Sequence, residues 1–180
     1  MKLRISGLSE ANEMKKQGIP DKIVSLVDPA AARNLAPDDN HLVIPMHDID
    51  QKMTGWIWPN EDHVREVLEF SRGFNKDDKV LVHCHAGVSR STAMAIGILI
   101  QHGMTLKDAV EYVFEIRDCA WPNALIIEIL DKELNLNGEL SKEVGEAKKR
   151  INEFHVKKPA GNGPTQSEID AMERLKKLLG

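Results

Sequence analysis

"VLVHCHAGVSRSTAMAIG", residues 80–97, is an apolar run that breaks into a short polar loop and then turns apolar again. Val80, Leu81 and Val82 read as a buried strand ending on Cys84, which stands between His83 and His85; a helix begins near Arg90. Two readings are open on this stretch alone. One is an ordinary strand–turn–helix with a buried thiol. The other is a loop that holds an anion beside a nucleophile.

Chemistry favours the second. In open parallel sheets ligands gather beyond the carboxyl ends of the strands, and Cys84 falls there. A helix starting at Arg90 aims its unpaired N–H groups and positive dipole end back at the loop. His85, Ala86, Gly87, Val88 and Ser89 fill the span to Arg90, and the short side chains among them let successive amides turn inward as an anion nest. Arg90 adds a planar fork of donors matched to two phosphate oxygens. A thiol at the base of such a nest is pulled toward thiolate, from about 8.5 to roughly 3.5–7.5. His83, Cys84 and His85 are also metal-ligand types, but no second Cys/His cluster at ligand spacing accompanies them.

Working outward, "KLRIS", "KIVSLV" (22–27), "HLVIP" (41–45) and "KVLVHC" (79–84) read as strands. Between them lie helical stretches: one near residues 9–17 with Ser9 as N-cap, and one over 60–72 with Val64, Val67, Leu68 and Ser71 on one face. Residues 29–40 read as loop. After the polar loop come helices over about 90–101, from Thr105 to about 116, and from Pro122 to about 134. Alternation of this kind predicts an α/β fold: a central, mostly parallel, twisted sheet of four to five strands with helices on both faces. Residues 1–138 form one domain. Residues 139–180 read as a helical C-terminal extension of charged amphipathic helices, with a linker near 157–164.

The chain has 180 residues, 42% hydrophobic and 29% charged, with a formal net charge of −4. That balance disfavours a nucleic-acid partner, although a local positive pocket can still take an anionic substrate. Two cysteines make no disulfide framework, and neither a signal peptide nor a membrane span is legible, so a cytoplasmic setting is expected. Cys119 reads as a buried inert cysteine in preference to a resolving thiol for Cys84.

The wording "VHCHAGVSRS" resembles the signature loop of the cysteine-dependent protein tyrosine and dual-specificity phosphatases, H-C-x5-R-S/T, and is closer to the compact dual-specificity type. The resemblance covers roughly Val24 to Leu134, and short bacterial tyrosine phosphatases are similar to it. It implies that Cys84 forms a phosphocysteine, that Arg90 binds phosphate, that Ser91 assists departure of the thiolate, and that His83 orients the loop from beneath. No metal or organic cofactor is implied. Low-molecular-weight phosphatases carry their C-x5-R loop near the N-terminus, and rhodanese-like enzymes lack the "HCxAGxSRS" wording.

A departing alkoxide or phenoxide needs a proton, and a placed acid supplies about 10²–10⁴-fold. "VIPMHDID" ends a strand at the same sheet edge and delivers Asp48 and Asp50 there. The family's acid follows a strand of the form I-P-x-x-D, which favours Asp48, with Asp50 as the alternative. Trp56 and Trp58 stand beside this loop as candidate walls of the substrate cleft, or as packing for it. "RDCAWPN" resembles the family's R…P-N stretch, which implies that Asn123 steadies the phosphate loop. Phosphotyrosine of proteins leads as substrate, with phosphoserine and phosphothreonine beside it. An inositol-phosphate or phosphoinositide phosphatase is an alternative, lowered because the resembled superfamily's inositide enzymes tend to carry lysines in this loop and this one has none, but kept open by a protonatable His85. A catalytically silent phosphoprotein-binding module is the alternative from another class.

Overall fold

The computed structural model describes the backbone of residues 1–157 and the side chains of residues 1–152. Four strands, β1 (Lys2–Ser6), β2 (Lys22–Val27), β3 (His41–Pro45) and β4 (Lys79–His83), form one sheet in the order β1-β4-β2-β3. All three pairings are parallel. The expected α/β architecture is therefore realised with four strands.

Six helices follow the strands: α1 (Leu8–Lys16), α2 (Pro29–Ala32), α3 (Glu61–Ser71), α4 (Arg90–Gln101), α5 (Leu106–Ile116) and α6 (Ala124–Glu133). A seventh, α7, spans Glu139–Lys157. The short α2 lies in the stretch expected to be loop. Asp28 precedes it with extended backbone and Pro29 fits its first turn, where a missing N–H costs nothing. Ser9 does not cap α1. The N-cap is Gly7, and Ser9 sits inside the first turn. Asn60 and Thr105 do cap α3 and α5, accepting from the N–H groups of His63 and Asp108. In α6 Asn123 takes the cap, so Pro122 falls just outside the helix.

The two faces of β4 show how the sheet is covered. Leu81 packs with Ala11 and Met14 of α1, while Val80 and Val82 join the larger core on the other side. That core centres on α4, whose residues from Arg90 to Leu99 are all buried: a polar first turn of Arg90, Ser91 and Thr92, then a stretch from Ala93 that is apolar all round. It lies against the sheet and contacts α3, α5 and α6. Gly97 lets α6 approach: a Cβ there would lie 2.3 Å from a methyl carbon of Leu130.

One compact unit runs from Met1 to Ala147, and a second comprises Lys148–Gly180. Leu140, Val144 and Ala147, on the first turns of α7, belong to the core of the first unit. Of the second unit only the helical stretch through Lys157 is described; the linker near 157–164 and the last amphipathic segment lie outside the described residues. Among the described residues no helix is long and apolar enough to cross a membrane.

Candidate active site

The strands end together at one edge, and the loop from Cys84 to Arg90 turns over that edge between β4 and α4. Its carbonyls are all engaged on the outside. Cys84 O faces His83 Nδ1 at 3.3 Å. His85 O accepts from the Leu8 N–H at 2.9 Å. The Arg117 guanidinium donates to Gly87 O at 2.9 Å and to Ala86 O at 3.1 Å. Val88 O accepts from the Trp121 N–H and Ser89 O from the Asn123 N–H. With the oxygens held outward, the amides are left to face inward, and the Gly87 N–H donates to Cys84 Sγ at 3.2 Å. Gly87 makes this turn possible. Its φ is +71°, and a Cβ would lie 2.5 Å from the Ser6 carbonyl carbon.

Cys84 is buried, and its thiol lies 3.2 Å from Ser91 Oγ. Burial pushes the thiol up, but hydrogen bonds from the Ser91 side chain and from the Ser91 and Val88 backbone, with the Arg90 charge, outweigh it and hold the thiol below its ordinary value. Arg90 is buried as well. Its Nη1 donates to Asp28 Oδ1 at 2.7 Å and to Met46 O at 2.5 Å. Its Nε is buried with no hydrogen-bond partner among the described residues, and lies 3.7 Å from Asp48 Oδ2. A guanidinium anchored through one nitrogen, with another donor unsatisfied, suits an incoming oxyanion.

Of the two acidic candidates, Asp48 reaches the loop. Its Oδ1 accepts from Ser89 Oγ at 2.6 Å and from Asn123 Nδ2 at 3.0 Å. Asp50 is exposed and is not brought to the loop by any bond of this kind. Asn123 meets the Cys84–Arg90 loop through its backbone N–H; its side chain instead holds Asp48 and Ile49 O, and caps α6. His83 is buried, with Nδ1 3.3 Å from Cys84 O and Nε2 2.6 Å from Ser25 Oγ.

The two tryptophans separate. Trp56 is exposed and meets the edge of His47, ring centroids 4.6 Å apart, while Trp58 is half-buried with Lys52 Nζ 5.8 Å from its ring centre. Cys119 is exposed, not buried, because it falls in the turn between α5 and α6. Sequence reasoning missed Asp28, Arg117 and Trp121. Asp28 follows β2 at the same sheet edge as Asp48, and that placement was its available signal. Trp121 is exposed and bonded through its N–H to Val88, which puts it at the rim of the loop. Among the described residues no group of three or more His, Cys, Asp or Glu side chains is arranged to hold a metal.

Comparison with known proteins agrees with this geometry. Residues 8–135 match the family model for the dual specificity phosphatase catalytic domain. Human dual specificity protein phosphatase 16 is 30% identical over 135 residues, which is 73% of this chain and 19% of that protein. Dual specificity protein phosphatase 18 of Pongo abelii is 29% identical over 121 residues, 66% of this chain and 61% of that protein. The chain thus spans less than two thirds of the curated relatives it matches. Among solved structures, the Cydia pomonella PTP-2 phosphatase superposes with a TM-score of 0.56 at 26% identity, covering 73% of this chain and 85% of that one. A parallel sheet that presents an H-C-x5-R loop at its carboxyl edge, and a family match running from α1 through α6, lead to one conclusion: the chain belongs to the dual-specificity phosphatase catalytic domains, within the cysteine-dependent protein tyrosine phosphatase superfamily.

Proposed function

We propose that the chain hydrolyses phosphomonoesters through a phosphocysteine intermediate, with phosphotyrosine of proteins the leading substrate and phosphoserine and phosphothreonine beside it. The carrying observation is the Cys84 thiol, buried under the Gly87 N–H and Ser91 Oγ, beside an Arg90 whose Nε has no hydrogen-bond partner among the described residues. The phosphoryl oxygens would take the inward amides of His85, Ala86, Gly87, Val88 and Ser89 together with the Arg90 fork. The thiolate attacks phosphorus as the ester P–O bond breaks, and Asp48 gives its proton to the leaving oxygen. Asp48, now a carboxylate, takes a proton from a water that attacks the phosphocysteine. The S–P bond breaks, and Ser91 donates a hydrogen bond to the departing thiolate.

Hydrolysis of p-nitrophenyl phosphate by wild type and Cys84→Ser, with EDTA and with reductant, tests the reading. Activity that survives EDTA and is lost in the serine variant is expected. A wild type inert under reducing conditions across roughly pH 5 to 8 overturns it. Phosphopeptides and phosphoinositides then rank the substrates, the lysine-free loop favouring the former. A second reading, phosphoprotein binding without turnover, draws on one likeness: human serine/threonine/tyrosine-interacting protein is 46% identical over 55 residues, 30% of this chain and 25% of that protein. Phosphopeptide affinity in a wild type without turnover would select it.

A further inference from the structure

A line of hydrogen bonds runs under the sheet edge from an exposed lysine to the nucleophile. Lys15 Nζ lies 3.1 Å from His41 Nδ1, and His41 Nε2 lies 2.7 Å from Ser25 Oγ. Ser25 Oγ lies 2.6 Å from His83 Nε2, and His83 Nδ1 lies 3.3 Å from Cys84 O. Ser25, His41 and His83 are all buried, on β2, β3 and β4, while Lys15 is on α1.

The direction of this line follows from its first member. An ammonium can only donate, so His41 Nδ1 accepts and the proton of that ring sits on Nε2. His41 Nε2–H then donates to Ser25, whose hydroxyl proton turns to His83 Nε2. That leaves the His83 proton on Nδ1, donating to the Cys84 carbonyl. Every donor points toward Cys84. Both rings stay neutral. Burial, then the Lys15 charge, pushes His41 below its ordinary value against the opposing pull of Asp38. His83 is pushed down to about 4, chiefly by burial. The charged or titratable groups facing these rings are Lys15 on α1, Asp38 in the turn before β3 and His85 in the loop, and Arg90 on α4 faces Cys84 itself.

Without the cation the same line can run backwards. His83 Nε2–H would donate to Ser25, Ser25 to His41 Nε2, and His41 Nδ1–H to water. A bare His83 Nδ1 would then oppose the Cys84 carbonyl, two acceptors face to face. We propose that Lys15, His41 and Ser25 are positioning residues for the Cys84 nucleophile, a one-way relay in which the exposed ammonium on α1 fixes the tautomer of His83 and so holds the Cys84 carbonyl turned away from the thiolate. This rests on Cys84 as nucleophile, so the test reads the thiol without requiring turnover.

The experiment is the pH profile of Cys84 alkylation by iodoacetamide in the full chain, carried in a Cys119→Ser background so that one thiol reacts. Lys15→Met removes the relay's origin. Lys16→Met makes the same charge change one residue on, at a side chain outside the relay. Lys15→Arg restores a donor-only cation. Lys15→Met is expected to slow alkylation about threefold on the acid side, as a rise of roughly half a pH unit in the profile gives. Lys16→Met and Lys15→Arg should follow the parent. Imidazole ¹⁵N shifts give a second readout: the His83 proton should sit on Nδ1 in the parent and move to Nε2 in Lys15→Met. If the Lys15 and Lys16 methionine variants behave alike, or His83 keeps its Nδ1 proton without Lys15, the relay is refuted. Failure of the phosphatase reading looks different: alkylation with the expected profile but no p-nitrophenyl phosphate turnover.

Discussion

Asp48 and His83 show at the scale of single residues how environment assigns a role. Asp48 is held against the loop by Ser89 and Asn123, so an acid placed there should matter most when the leaving group is poor. Asp48→Asn is expected to lower kcat/KM, which reads only the steps up to the phosphocysteine, by about 10²–10⁴-fold on alkyl phosphates and by less on p-nitrophenyl phosphate, whose phenolate departs without a proton. Equal losses on both ester classes would argue against proton donation by Asp48. His83 makes a prediction about stability. Its folded value, about 4, lies below its ordinary 6.5, so the unfolded chain binds more protons between those limits. The contribution of His83 is therefore full above about pH 6.5 and is lost as pH falls toward 4, roughly 3 kcal/mol in all. His41 shifts in the same direction. Urea unfolding at pH 7 and pH 4 measures the loss, and His83→Gln should flatten it.

At the scale of elements, the Cys84–Arg90 loop is shaped from outside by neighbours it touches only in three dimensions. Arg117, at the end of α5, holds two of its carbonyls and is in turn 3.6 Å from Glu10 of α1. Arg117→Met should leave the fold intact and weaken competitive inhibition by inorganic phosphate about tenfold, near 1.4 kcal/mol. Unchanged inhibition would mean that the loop keeps its shape alone. The α4–α6 contact offers a different kind of test. At Gly97 the nearest atoms belong to buried Leu130, so the neighbour has little room to give. Gly97→Ala is expected to cost about 1–3 kcal/mol by overpacking, despite the better helix propensity of alanine. Chemical denaturation reads the cost, and Leu130→Val in the same chain should recover part of it.

For the whole molecule, the compact unit closes with the first turns of α7. Leu140 is fully buried, and buried Asp131 accepts from the N–H groups of Gly138, Leu140 and Ser141, which ties the start of α7 to α6. Leu140→Ala should therefore cost about 2–5 kcal/mol, the range for a leucine removed from a packed core. A denaturation midpoint equal to that of wild type would place α7 outside the cooperative unit.

The sequence by itself determined the α/β class, the four strands, the position of Cys84 and Arg90 between β4 and α4, and the cap at Thr105. These rest on periods and spacings within a few residues of one another, which local sterics and hydrogen bonding translate directly into structure. It also offered Asp48 and Asp50 as candidate acids, two side chains on one short loop. Tertiary structure alone brought Asp48 to Ser89, Asp28 to Arg90, and Arg117 to Gly87, across separations of 41, 62 and 30 residues. It also exposed Cys119 and moved the cap of α1 from Ser9 to Gly7. Such choices depend on which chain segments meet at the sheet edge, and no period in a single sequence records that. The buried line from Lys15 to Cys84 joins α1 to three strands, so it exists only once the sheet has assembled.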